Sequence, residues 1–184
     1  MPQLYYCMHK LVFILSFLFL PCLVFAQKTW NPVSQDISFK IKNAGITVNG
    51  TFEGGHTELV FSPDQLSGSS LKARVEVKTI KTGIGLRDEH LKGETYFFAD
   101  SFKTINVESK SLYIKDNNYA GLFNVTIKGV TKQIEIPFEF NPFANEAIIR
   151  GTFKLNRRDF GLGGKSITMA DEVTINIEIK AKTE

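Results

Sequence analysis

Apolar and polar residues alternate strictly through Leu71-Lys72-Ala73-Arg74-Val75-Glu76-Val77-Lys78. In an extended chain successive side chains point to opposite faces, so this stretch turns one face to hydrocarbon and the other to water. The same period of two returns in Ile37, Phe39 and Ile41, in Ile134, Ile136, Phe138 and Phe140, in Ile149, Phe153 and Leu155, and in Val173, Ile175, Ile177 and Ile179. The spacing predicts half-buried antiparallel strands over 36–42, 46–53, 57–61, 70–79, 104–109, 111–115, 119–128, 131–140, 147–156 and 172–180. The period changes at Arg87-Asp88-Glu89-His90-Leu91-Lys92, which reads as a short helical turn with Gly93 as its stop. Asp116-Asn117-Asn118 suits a tight turn, because short polar side chains tolerate left-handed backbone. Pro137 has no N–H for a ladder, so its strand is expected to be an edge, bulged or irregular there.

An antiparallel array this long must protect its edges, by closing into a barrel or by packing two faces as a sandwich. The period alone leaves a filled core and a hollow barrel both open. Twelve phenylalanines follow residue 26, including the adjacent Phe97 and Phe98, which is more aromatic wall than a small filled core needs. The inward set is expected to include Phe39, Phe52, Val75, Val77, Phe123, Val125, Ile136, Phe138, Phe153, Ile175 and Ile177. Phe153→Asp tests the strand phase: a carboxylate desolvated there should lower stability by about 3 kcal/mol or more. An unchanged thermal midpoint at neutral pH would place Phe153 outside the core.

The N-terminus changes the setting. Residues 1–10 carry no acid, Leu11 to Phe25 is a nearly unbroken apolar run, and Val24-Phe25-Ala26 offers a signal-peptidase site, so residues 1–26 are expected to be a signal peptide cleaved after Ala26 and 27–184 a single domain. The run is short against the roughly 20 residues of a spanning helix, which disfavours a permanent anchor. Lipidation at Cys22 is disfavoured by the bulky Phe19-Leu20-Pro21 before it. Both cysteines, Cys7 and Cys22, fall inside the signal, so the mature domain relies on its core rather than on disulfides, as suits a bacterial periplasm or another secreted setting. Beyond residue 26, 21 basic residues face 19 acidic ones, and they alternate along strands instead of forming a basic tract. Nucleic acid is therefore not an expected partner. Homodimerisation and transient membrane contact remain compatible with such a near-neutral surface.

Specific strings add to the pattern. Ser38-Phe39-Lys40-Ile41, Gly50-Thr51-Phe52-Glu53-Gly54, Ile80-Lys81-Thr82-Gly83 and Arg87-Asp88-Glu89-His90-Leu91 are followed in order by Tyr96-Phe97-Phe98-Ala99-Asp100, Gly129-Val130-Thr131-Lys132 and Asn156-Arg157-Arg158-Asp159-Phe160-Gly161. Together they resemble the YceI-like family of secreted, lipocalin-like polyisoprenoid-binding proteins across nearly the whole mature domain. The resemblance implies an all-β fold: an eight-stranded antiparallel lipocalin-like β-barrel with a short helical element and an elongated apolar cavity. It also implies reversible, noncovalent binding, storage or transport of a polyisoprenoid or isoprenoid quinone, with no other cofactor required. Phe97 and Phe98 would then form wall or entrance, with Phe39, Phe52, Phe123, Phe138 and Phe153 further along the tail. Gly93-Glu94-Thr95-Tyr96 departs from the family's usual smaller segment, so Tyr96 is expected to narrow the entrance or cover the barrel end.

The polar candidates divide between two roles. Arg87, His90 and Arg158 are expected at a polar mouth, where a cation or a neutral donor meets a prenyl phosphate or quinone oxygen. Asp88 and Asp159, beside Arg87 and Arg158, would hold local geometry; in the competing structural reading His90 only supports the barrel end and Arg158-Asp159 is a salt-bridged transition. Asp88 and His90 are two apart and share no helical face, and His56 is the only other histidine of the mature domain, so no metal site is expected. Gly163-Gly164-Lys165-Ser166 lacks the leading glycine spacing of a phosphate loop. No nucleophile elbow or paired carboxylates accompany these groups, which disfavours an enzyme and leaves a secreted hydrolase as the weakest reading. The main alternative to lipid binding is a structural or protein-interaction barrel without a physiological lipid.

Overall fold

A computed structural model describes residues 28–183. The predicted signal peptide and both cysteines lie outside the described residues. Ten strand segments are present: β1 (Thr29–Asn43), β2 (Ile46–Phe52), β3 (Gly55–Val60), β4 (Ser70–Glu76), β5 (Ile80–Lys81), β6 (Thr104–Lys115), β7 (Asn118–Ile127), β8 (Val130–Phe143), β9 (Glu146–Asn156) and β10 (Met169–Lys182). One α-helix, α1 (Gly85–Lys92), lies between β5 and β6.

The registers merge these ten segments into eight strands. Ile37 stands opposite Phe52 and Trp30 opposite Leu59, seven residues apart on both sides, so β2 and β3 form one strand bent at Glu53 and Gly54. On the next strand, Ile80 pairs with Phe52 and Val75 with Gly55, which leaves two extra residues between β4 and β5. They are taken up in a 3-10 turn, Val77–Thr79. The Thr79 hydroxyl fastens this corner by accepting from the Glu53 and Gly54 amides at 3.2 and 3.1 Å and donating to the Glu76 carbonyl at 2.6 Å. Every neighbouring pair is antiparallel, and β1 pairs with β10 from Asn31–Lys182 to Asn43–Met169. That pairing closes the sheet into an eight-stranded lipocalin-like β-barrel, which removes the exposed edges a flat sheet of this length would carry.

The chain departs from strict alternation at identifiable points. Residues 104–115 form one strand rather than two, with a bulge between Ser109 and Ser111 absorbing the phase change. Residues 77–79 leave the strand for the 3-10 corner. Pro137 keeps its place opposite Ala120 of β7, but the ladder to β9 starts only at Phe138–Gly151. A proline with no N–H to donate thus sits where the pairing stops.

The barrel has two distinct ends. The β1–β2, β7–β8 and β9–β10 connections and α1 lie at one end, and the β6–β7 and β8–β9 turns at the other. That second end is plugged by aromatic rings: Phe61 packs within 4.6 Å of Phe140, 5.1 Å of Tyr119 and 5.7 Å of Phe138, while Trp30 meets Phe140 edge-on at 5.3 Å. The buried Trp30 indole donates to the Phe61 carbonyl at 3.0 Å, satisfying its one polar atom. From this plug the inward faces run toward the α1 end, where Phe39, Phe52, Val75, Ile80 and Val173 form a second buried cluster.

Candidate functional site

Two adjoining chambers occupy the interior between the aromatic plug and α1. The inner one, about 110 Å³ by the space open to water centres, is walled by inward residues of the eight strands, among them Ile37, Val75, Val107, Phe123, Ile136, Phe153 and Ile177. The outer one, about 140 Å³ by the same measure, lies under α1 and is bounded by Asn43, Val48, Arg87, Leu91, Tyr96 and Met169. Phe39, Phe52, Ile105, Ile127, Leu155 and Ile175 border both, so the two adjoin end to end along an elongated apolar interior, called the tunnel below. A single water needs only about 10–15 Å³ by this measure, so this is a container rather than a packing defect. The eight residue steps of β1 from Gln35 to Asn43 span the tunnel, about 26 Å of strand at 3.3 Å per step.

The alternation explains the walls, and glycine explains the junction. Gly50 of β2 lies beneath Phe39, where a Cβ would come within 2.2 Å of the ring's Cζ. Absence of that Cβ lets the ring lie flat against the sheet at the joint between the chambers. Phe39 then meets Phe52 at 5.7 Å, and Phe52 meets Phe97 edge-on at 6.0 Å.

Phe39, Phe52, Phe97, Phe123, Phe138, Phe153 and Arg87 line the tunnel. Phe98 does not. Its φ of +50° turns it away from its neighbour, and its ring packs edge-on against Phe102 at 6.0 Å. His90 is exposed on the outward side of α1 with its ring 5.2 Å from Tyr96, and Arg158 is exposed beside Asp171 at 3.4 Å. Neither borders the chambers. Asp159 is exposed and makes no ion pair with Arg158 among the described residues.

Arg87 is held through Thr82. Its Nε donates to Thr82 Oγ1 at 2.7 Å and its Nη2 to the Thr82 carbonyl at 2.6 Å. Asp88 Oδ1 accepts from the Thr82 amide at 2.8 Å and from its hydroxyl at 2.5 Å. Asp88 therefore orients Thr82, and Thr82 orients Arg87, without a direct bond between the adjacent charges. Among the described residues half-buried Arg87 has no carboxylate partner and its Nη1 makes no hydrogen bond; the surface of the outer chamber is almost wholly hydrocarbon, so Arg87 borders it with its side-chain carbons rather than with its guanidinium.

Arg157, rather than Arg158, is the buried arginine of its pair, only 3% exposed. Its Nε donates to the Ala170 carbonyl, its Nη1 to the carbonyls of Leu162, Gly163 and Gly164, and its Nη2 to Asp171 at 2.7 Å. With each of its three nitrogens engaged by the β9–β10 loop or the start of β10, it shapes the outer chamber as a structural tie. The signal for it was present in the pattern: Phe153, Leu155 and Arg157 continue one inward phase past the end of β9. The same phase logic puts Gln35 and Thr57 inside, where Thr57 Oγ1 donates to Gln35 Oε1 at 2.8 Å as a polar spot in the inner wall. Among the described residues no three His, Asp or Glu side chains converge as metal ligands would.

The sequence profile of the YceI-like domain matches residues 29–181. A UPF0312 protein of Staphylococcus aureus is 27% identical over 164 residues, covering 83% of this chain and 91% of the relative. Among solved structures, Burkholderia cenocepacia BcnA superposes with a TM-score of 0.77 at 20% identity, over 80% of this chain and 96% of that one. A polyisoprenoid binding domain from Saccharophagus degradans superposes with a TM-score of 0.61 at 10% identity, over 86% of this chain and 99% of that one. At these identities the two structures establish the shared barrel.

Proposed function

The chain belongs to the YceI-like family, and from that premise we propose that it binds and stores or carries a long-tailed amphiphile, a polyisoprenoid or isoprenoid quinone, by noncovalent means in the bacterial periplasm after removal of residues 1–26. The observation that carries this reading is the pair of adjoining apolar chambers, plugged by aromatic rings at one end and bordered at the other by Arg87, whose guanidinium Thr82 orients and whose Nη1 is unbonded. The polyisoprenoid description of the Saccharophagus domain points the same way. Removing hydrocarbon from water contributes about 25 cal/mol per Å² buried, so affinity should rise with tail length until the tunnel is full. A rigid plug then sets an upper limit to the tail. No bond chemistry is proposed: the chambers are walled almost wholly by hydrocarbon, and we assign the Arg87 guanidinium to holding a head group at the mouth.

Mass spectrometry of an apolar extract from protein purified out of its native envelope tests the reading. Stoichiometric prenyl lipid or quinone supports it; a lipid-free protein that also ignores prenyl chains of increasing length in titration favours the structural barrel. For the head group, Arg87→Gln should weaken phosphate- or carbonyl-headed ligands by about tenfold, the value of one charge-assisted hydrogen bond, and leave a headless hydrocarbon unchanged. His90→Ala should affect the two ligands equally, since its ring lies outside the chamber. Calorimetric titration of the matched ligands reads both outcomes.

A further inference from the structure

The mouth of the tunnel carries an apolar rim that the core does not use. Ile46, Ile84, Leu86 and Ile167 are all exposed, Leu86 by 85% and Ile167 completely, and all four belong to the α1 end of the barrel. Each lies close in sequence to a residue of the outer chamber wall: Ile46 between Asn43 and Val48, Ile84 after Thr82, Leu86 beside Arg87, and Ile167 before Met169. The Ala44 amide donates to the Thr168 carbonyl at 2.8 Å, which ties the β1–β2 turn to the β9–β10 loop and brings the segments of Ile46 and Ile167 together. Single exposed aliphatics are ordinary, whereas a group of them around one apolar opening marks an interaction surface.

Charge identifies what that surface meets. Lys42 on the β1 arm of the hairpin and Lys165 in the loop have no carboxylate partner among the described residues, and neither does Arg87. Of the acids at this end, Asp88 is engaged by Thr82, Glu89 by Lys92, Asp100 by Lys78 and Asp171 by Arg157, which leaves Glu94 and Asp159 against Lys42, Lys165 and Arg87. Aliphatic tips flanked by uncompensated lysines match a bilayer surface, with the tips in the acyl boundary and the ammonium groups among anionic head groups. A water-insoluble tail, moreover, is available in quantity only in a membrane.

We propose that the rim formed by Ile46, Ile84, Leu86 and Ile167, with Lys42 and Lys165, docks the barrel mouth-down on an anionic lipid bilayer, so that a ligand slides from membrane to tunnel without crossing water. This inference rests on the lipid-carrier reading and is separable from it. The full mature protein is mixed with vesicles of phosphatidylcholine and phosphatidylglycerol, or of phosphatidylcholine alone, and bound protein is measured by flotation. Wild type should float with the anionic vesicles and be released by salt. Leu86→Asp with Ile167→Asp should reduce flotation by about tenfold or more, since burying one such side chain already carries that factor. Lys42→Glu with Lys165→Glu should abolish the preference for anionic vesicles.

Phe143→Asp, which alters an exposed aromatic at the opposite end, is the control and should float like wild type. All of these sites are exposed, so unchanged thermal midpoints verify folding. Wild type remaining free of both vesicle types, or Phe143→Asp losing as much as the rim variants, overturns the proposal. A rim-dependent dimer in light scattering without flotation also overturns it, and assigns the rim to a second copy of the chain. Titration with a short prenyl alcohol in solution separates the two readings: binding without flotation removes only the docking surface, and flotation without any prenyl binding removes only the carrier function.

Discussion

Arg157→Ala is expected to lose about 3–5 kcal/mol of stability, the cost of breaking a buried charged network from one side. The substitution leaves the carbonyls of Leu162, Gly163, Gly164 and Ala170 without their donor and Asp171 without its closer partner. Asp171 is partly exposed and recovers some of this from water, which puts the result toward the lower limit of the range. At roughly 2–4 °C per kcal/mol for a domain of this size, the thermal midpoint should fall by about 10 °C. Arg157→Lys should recover little, because one ammonium cannot span acceptors that a guanidinium reaches from three nitrogens. Arg158→Ala is the contrast: its exposed 3.4 Å contact with Asp171 should contribute within about 0.5 kcal/mol. Equal melting of Arg157→Ala and wild type would dismiss the network as a support of the mouth. Because the same loop bounds the outer chamber, Arg157→Ala should also weaken every tailed ligand, headed or not.

Gly50→Ala is expected to act at the centre of the tunnel. The added methyl would stand 2.2 Å from Phe39 Cζ and 2.5 and 2.9 Å from the two Cε atoms, so the ring must move. Gly50 does not have the positive φ that would add backbone strain, which leaves the collision as the cause. Forcing a ring off its seat costs about 1–3 kcal/mol. The open direction for Phe39 is the joint between the chambers, which it already borders on both sides. Tails short enough for the outer chamber should bind as before, while tails that reach the inner chamber should lose about tenfold or more in affinity. Phe39→Leu in the Gly50→Ala background should restore long-tail binding, because the pair shares one volume and is strongly coupled. Uniform loss over all tail lengths, or no rescue, would mean that the joint does not meter the tunnel.

Both variants lie where reading the chain was easy in one respect and impossible in another. The period of two assigns Phe39, Phe52, Val75, Phe123, Val125, Ile136, Phe138 and Phe153 to the interior, and all of them are buried there. Ile175 and Ile177 share that phase and are half-buried, packed against the core cluster and facing the inner chamber. Val77 is buried as the alternation requires, although it belongs to the 3-10 corner rather than to a continuous strand. The period likewise carries Gln35, Thr57 and Arg157 inward, a placement obscured in the sequence by their polarity. Phe97 and Phe98 show the limit: side by side in the chain, one enters the tunnel and the other leaves it, because a left-handed backbone at Phe98 redirects the ring. Arg157 and Arg158 divide in the same way at the start of a 3-10 turn, capped by Asn156 Oδ1 accepting from the Arg158 amide at 2.9 Å.

By itself, then, the amino-acid sequence determined the faces: which side chains of each strand look inward, where the helical turn interrupts the strands, and that the inward surface is hydrocarbon with few polar exceptions. These depend on neighbours two residues apart and on local backbone preference. The tertiary structure alone decided that the faces enclose space. Closure joins Asn31 to Lys182 and Ile41 to Val173, residues brought together from opposite ends of the domain. The number and stagger of the strands then set a radius that the side chains do not fill. A tunnel is the difference between that radius and the reach of the side chains, and a difference between two long-range quantities leaves no periodic trace in the chain.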